Sequence, residues 1–158
     1  LTISHLEAEV LWARMQDFKE RMERFNTNGT AIAHFLAAHS AVDHVYHASL
    51  SSHLSFSTAK KLLSGNGGVV SFTLKDDSEK GLRSFYDKDF SSILKAPTIG
   101  SNQTLICPYP LLTHYFDTDA ELEEIKLPRH LIRVAAGCET EIDTILADLN
   151  HALKRSTQ

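Results

Sequence analysis

One long apolar stripe limits most what this chain can fold into. Leu11, Met15, Phe18, Met22, Phe25, Gly29, Ile32 and Leu36 recur in alternating steps of four and three, the spacing of one face of an α-helix. The opposite face carries Asp17 with Arg21 and Glu20 with Arg24, acid before base at i, i+4, the order that supports a helix. Asn26-Thr27-Asn28-Gly29 in the middle is poor helix-forming material and predicts a bend, kink or break. The expectation is one long helix, or two nearly collinear ones, from about Ser4 to His39. At 1.5 Å per residue it runs about 50 Å, more than one small sheet needs for cover. Its stripe packs either on the domain's own sheet or, in the half before Asn26, on another domain or subunit.

Beyond that helix the pattern turns mixed. Val42–His47 and Val69–Leu74 alternate as strands do, and Leu105–Tyr109 and Leu131–Ala136 are apolar and strand-like. Ile93–Ile99 is extended and interrupted by Pro97, and Tyr115–Leu127 is acidic and loop-like or weakly helical. Ser78–Lys88 and the Ala59–Leu63 region have helical spacing. Thr140–Arg155 is amphipathic, with Ile142, Ile145, Leu146, Leu149 and Leu153 on one face. Short strands alternating with helices define an α+β class: a small, mostly antiparallel sheet with helices on one face.

Composition narrows the function classes. With 158 residues, 42% hydrophobic and 23% charged, the chain suits one domain with a sizeable core rather than a disordered or collagen-like segment. Its formal charge of −4 argues against nucleic acid as a partner, because duplex-binding surfaces are usually basic. No apolar run approaches 18 residues, so no membrane-spanning helix is expected. Cys107 and Cys138 lie in apolar strand-like runs and read as buried free thiols of a reducing compartment, which implies the cytoplasm. No secretory leader is expected from its opening residues. It starts with Leu1 rather than Met and is expected to be a piece of something longer.

Several polar constellations carry little chemistry. His34, His39, His44, His47 and His53 cross from a helix through a turn into a strand, so no metal site is expected. Gly65-Asn66-Gly67-Gly68 precedes a strand instead of a helix and reads as a hinge and turn, not a phosphate cradle. Ser55–Lys60 reads as a turn entering a short helix. No GxSxG elbow supports a hydrolase. Arg133 stands apart, because Leu131-Ile132-Arg133-Val134-Ala135-Ala136 is otherwise apolar. Ile132 and Val134 point one way, and Leu131, Arg133 and Ala135 the other. A permanently charged guanidinium there needs a planar acceptor, either an interior carboxylate or the carboxylate of a ligand. Thr98–Thr104, rich in hydroxyls and amides, is the other candidate stretch.

Five motifs in order give the chain a resemblance: Gly67-Gly68-Val69-Val70-Ser71-Phe72; Thr98-Ile99-Gly100 with Thr104-Leu105; Pro108 through Thr113-His114; Leu131–Glu139; and Arg21–Asn26 with Val42–Tyr46. Together they resemble the C-terminal domain of the fold-type-I, pyridoxal-phosphate-dependent enzymes of Cys/Met metabolism, over essentially the whole chain. Thr98–Thr104 with Cys107-Pro108-Tyr109 looks most like the fungal cystathionine γ-synthase branch.

The resemblance implies residues 1–38 as a linker helix and 39–158 as a substrate-binding domain, with the cofactor domain absent from this chain. It implies a transsulfuration enzyme of methionine biosynthesis: γ-replacement on an activated homoserine ester by a thiol such as cysteine. Pyridoxal phosphate stabilises the carbanion left when the Cα proton departs. Arg133 is implied to bind the substrate α-carboxylate, helped by Thr98, where the family's usual residue is serine. Ser101-Asn102-Gln103 replaces the family's Gly-x-Glu and removes a carboxylate near the substrate side chain. No catalytic, cofactor-binding or metal-binding residue is implied in this chain, which alone is expected to be inactive. Its expected partners are an amino-acid substrate, the cofactor domain and further subunits of a homo-oligomer, with no nucleic acid and no membrane. The alternative is a free-standing, non-catalytic binding or assembly module with the same fold.

Overall fold

The computed structural model describes residues 2–155. In chain order the elements are α1 (His5–Met15), α2 (Phe18–Ala38), β1 (Val42–Tyr46), α3 (Phe56–Leu62), β2 (Val69–Leu74), α4 (Glu79–Tyr86), β3 (Leu94–Lys95), β4 (Leu105–Pro108), α5 (Tyr109–Thr113), α6 (Asp119–Glu124), β5 (Ile132–Ala135) and α7 (Ile142–Arg155). Leu1 and residues 156–158, which the two expected segments include, lie outside the described residues. So does the side chain of Arg155.

The five strands form one sheet in the order β1-β2-β5-β4-β3. Every neighbouring pair is antiparallel except β3 with β4, which run parallel. Residues two apart in a strand share a face, so the register sorts the side chains into rows. Val45, Phe72, Ile132 and Pro108 form one row, and Val70, Val134 and Ile106 the next. These rows face the core, where Ile32, Ala33 and Leu36 of α2, Leu82 and Phe85 of α4, and Ile145, Leu149 and Leu153 of α7 bury against them. Phe72 and Phe85 meet edge to face at 5.7 Å between ring centroids, a favoured aromatic geometry. The opposite face carries the row Tyr46, Ser71, Arg133 and Cys107. At the sheet rims, β1 is irregular between Val42 and His44 and β3 has only two residues.

The long apolar stripe is helical, but its break falls elsewhere than the composition suggests. α1 ends at Met15 and α2 begins at Phe18, whereas Asn26-Thr27-Asn28-Gly29 runs unbroken within α2. Tertiary partners override helix propensity there. The Asn26 side-chain oxygen accepts from the Gly67 N–H at 2.7 Å. Asn28, buried, donates from Nδ2 to the carbonyls of Gly137 and Glu139, both at 3.0 Å. Gly29 lets α2 lie directly on the backbone of Gly67 and Gly68. The acidic segment after Tyr115 contains a short helix, α6, capped by Thr118 with Glu121, and Tyr109–Thr113 forms a single helical turn that the pattern did not suggest.

α1 begins at a capping box made by Ser4 and Glu7, and it buries no residue. Leu6, Val10, Leu11, Trp12 and Met15 on α1, and Phe18 on α2, are exposed. The second half of the stripe, Ile32 and Leu36, is fully buried on the sheet. Only the second half is therefore buried within the described chain.

Two outcomes follow from this packing. Gly29→Ala should destabilise the fold by about 1–3 kcal/mol although alanine is the better helix former. The new Cβ would collide with the Gly67 carbonyl oxygen and lie 2.8 Å from the Gly68 Cα; equal or greater stability in urea titration would contradict that reading. The chain Leu1–Gln158 alone should also self-associate through the exposed half of the stripe, because contiguous apolar surface seeks cover. Leu11→Lys with Met15→Lys should abolish that association in sedimentation experiments.

Candidate functional site

Arg133 sits in the middle of β5, flanked in register by Ser71 of β2 and Cys107 of β4. Its side chain is on the face away from the helical core. The guanidinium Nη2 donates to the carbonyl of Pro97 and, at 3.4 Å, to that of Thr98. Its Cζ lies 5.0 Å from the centroid of the Tyr109 ring, within cation–π range. Nε is buried and has no hydrogen-bond partner. No described carboxylate pairs with this cation: the acceptors are neutral carbonyls. Of the two readings of Arg133 left open by the sequence, the interior ion pair is not formed among the described residues.

The structure brings Thr98 to Arg133 through the main chain. The Thr98 side chain is exposed, and its carbonyl, not its hydroxyl, touches the guanidinium. Cys107, the buried register neighbour, is a free thiol. Burial pushes it up from its ordinary value, and the adjacent Arg133, through its charge and a side-chain hydrogen bond to the sulfur, pulls the other way without reversing the shift. Cys138 is also free but only half-buried, its Sγ facing the Arg21 carbonyl at 3.9 Å.

Two supports behind this site were not legible as motifs. The first joins the start of β4 to the end of β5. Glu139 accepts from the Thr104 N–H and, at 2.9 Å, from its hydroxyl, while that hydroxyl accepts from the Gly137 N–H at 2.9 Å. The second holds the segment that leads to Pro97. Asp148 of α7 accepts from the Ser91 hydroxyl at 2.7 Å and from the N–H groups of Ser92 and Ile93 at 2.6 and 3.3 Å. His47, one of the clustered histidines, is buried between the Ser49 hydroxyl and the Gly67 carbonyl. Burial lowers its pKa, which makes it a packing residue of the turn entering β2.

The chain belongs to the Cys/Met metabolism family of pyridoxal-phosphate-dependent enzymes, whose family model matches residues 2–154. It is 35% identical over 135 residues to a cystathionine beta-lyase of Lactococcus lactis, covering 85% of this chain and 34% of that protein. It is 34% identical over 140 residues to the cystathionine gamma-synthase of Neurospora crassa, covering 88% of this chain and 22% of the relative. The crystal structure of cystathionine gamma synthase from Xanthomonas oryzae pv. oryzae in complex with cystathionine superposes with a TM-score of 0.88 at 27% identity, over 99% of this chain and 40% of that one. The α+β fold is thus that of one part of fold-type-I enzymes, and the chain spans between 22% and 38% of the length of the curated relatives it matches. Lyases and synthases match to a similar degree, so the likeness alone does not choose between them. No described helix is long and apolar enough to cross a membrane.

The residues present do not fit pyridoxal phosphate itself. A lysine that bonds to it needs a desolvated or cationic pocket to be neutral and nucleophilic. Among the described residues the lysines are exposed, apart from the half-buried Lys88. Lys95 lies over the rings of Tyr86 and Phe90 at 5.0 and 5.9 Å, away from Arg133.

Asp148 gives this region an acid dependence. Burial alone would raise its carboxyl, but hydrogen bonds from Ser92, Ser91 and Ile93 outweigh that and hold it below the usual aspartate range. Its stabilising contribution is therefore complete above the unfolded-state value, about 4, and is lost as pH falls through the lower folded-state value. Asp148→Asn should flatten the decline in stability between pH 5 and about pH 3. Parallel urea titrations across that window check this; an unchanged slope would remove Asp148 from the account.

Proposed function

We propose that this chain is the substrate-binding C-terminal domain of a pyridoxal-phosphate-dependent transsulfuration enzyme of the cystathionine γ-synthase type. The reaction is γ-replacement on an activated homoserine ester by a thiol such as cysteine. The residues that carry the reading are Arg133 and Thr98. The single observation behind it is a cation in the middle of a strand that no described carboxylate neutralises, its Nη2 resting only on two main-chain carbonyls. A half-buried cation without an anionic partner is costly unless a ligand completes it. A carboxylate offers two coplanar oxygens that suit this fork.

In this reading the sheet supplies rigidity. Arg133 is fixed by strand neighbours on both sides, so the docked carboxylate holds Cα in one orientation, and misorientation costs rate. Thr98 supplies its carbonyl to the arginine and keeps its hydroxyl for the substrate carboxylate. Pyridoxal phosphate, held by a separate domain, supplies the electron sink for Cα deprotonation. The choice of synthase over lyase rests on the Thr98–Thr104 and Cys107-Pro108-Tyr109 stretches, and on the likeness to the Neurospora and Xanthomonas synthases. The exposed half of the α1–α2 stripe is the face that meets the cofactor domain or a second subunit. The compartment proposed is the cytoplasm, in keeping with two free thiols.

In the complete subunit, Arg133→Lys keeps the charge but loses the planar fork. It should lower kcat/KM by an amount equivalent to about 2–4 kcal/mol and leave the melting temperature and the cofactor absorbance in place. An unchanged kcat/KM would end the carboxylate role. A fall in melting temperature and cofactor retention in step with activity would make Arg133 structural.

A further inference from the structure

The guanidinium of Arg133 has an aromatic neighbour as well as its carbonyl acceptors. Tyr109 follows β4 directly, and its N–H donates to the Leu131 carbonyl at 3.1 Å, which ties it to the strand that carries Arg133. Its carbonyl accepts from the Thr113 hydroxyl at 2.9 Å, closing the turn of α5. Its ring is half-buried, with the Arg133 Cζ 5.0 Å from its centroid and His114 edge-on at 6.1 Å. The Tyr109 hydroxyl makes no hydrogen bond among the described residues, so the ring is the part in use.

Carbonyls at Nη2 pin one corner of the guanidinium but leave it free to rotate about the line to that corner. An aromatic ring within cation–π range narrows that freedom, because the attraction depends on how the cation sits over the ring. We propose that Tyr109 is a positioning residue: its ring sets the plane of the Arg133 guanidinium and so the angle at which the substrate carboxylate, and Cα behind it, is presented. The proposal rests on the reading of Arg133 as the carboxylate-binding residue. It assigns the task to an aromatic face, so phenylalanine should serve as well as tyrosine and an aliphatic chain should not.

The test is a double-mutant cycle in the complete subunit, with melting temperatures alongside kcat and KM. Tyr109→Phe should stay within about twofold of the parent. Tyr109→Leu should lower kcat/KM about five- to tenfold, mostly in kcat, since the charge still attracts the carboxylate while its orientation fails. In the Arg133→Lys background there is no plane left to set, so Tyr109→Leu should cost nothing further. Tyr109→Met, run through the same cycle, replaces the leucine variant should that one fold poorly. Equal losses from leucine in both backgrounds would make Tyr109 a packing residue and overturn the proposal, as would no loss from leucine or an equal loss from phenylalanine. If Arg133→Lys alone leaves kcat/KM unchanged, the underlying carboxylate reading fails as well; if it lowers kcat/KM and Tyr109→Leu does not, only the role of Tyr109 falls.

Discussion

The arrangement depends on the buried amide of Asn28. It sits on a helix and bonds to two carbonyls more than a hundred residues later in the chain, Gly137 and Glu139, just past the end of β5. Buried amides need such partners, because an unsatisfied one is expensive. Asn26 and Gly29 on the same stretch seat α2 on the Gly67–Gly68 backbone that enters β2. Glu139 then reaches Thr104 at the start of β4, and the Ala136 N–H donates to the Gly68 carbonyl at 2.7 Å. One helix face thereby fixes the ends of the three strands that neighbour Arg133 or carry it.

With those ends fixed, the sheet separates two tasks by face. The helix side is a packed apolar core of Phe72, Ile106, Ile132 and Val134. The other side carries the polar row Ser71, Arg133 and Cys107. Alternation within one four-residue strand places a charge on one side and two core residues on the other. The site's remaining parts arrive from short irregular segments: the carbonyls of Pro97 and Thr98 and the ring of Tyr109. Asp148, on the last helix, holds the root of the first of these segments, so even the far end of the chain bears on where those carbonyls lie.

Much of this was legible in the sequence, for identifiable reasons. β2 and β5 are alternating runs with a buried face, and α7 has a clean apolar stripe, so period alone located them. Arg133 stood out because a charge inside an apolar strand is rare and needs a reason. What was missed depends on partners distant in sequence. Asn26-Thr27-Asn28-Gly29 looks like a helix breaker until Gly67 and Gly137 are placed beside it. β3 has only two residues, too few to show a period. Tyr109 shows in the sequence only as part of the Cys107-Pro108-Tyr109 likeness, and its place beside Arg133 comes from the register of β4 against β5. The resemblance assigns Thr98 to the substrate; its contact with Arg133 runs through its carbonyl, and no side-chain pattern reports on a carbonyl.

The rims of the sheet have a consequence for what the domain avoids. A strand at an edge offers unpaired N–H and C=O groups to any other chain, which is how sheets grow into aggregates. Here one edge strand is distorted between Val42 and His44 and the other is two residues long. Neither offers the straight run of hydrogen-bonding groups that an incoming strand needs for zipper-like growth. Lateral polymerisation through the backbone is thus discouraged at both sides, even while α1 displays exposed apolar residues, so any association of this chain is steered toward side-chain surfaces that can discriminate among partners.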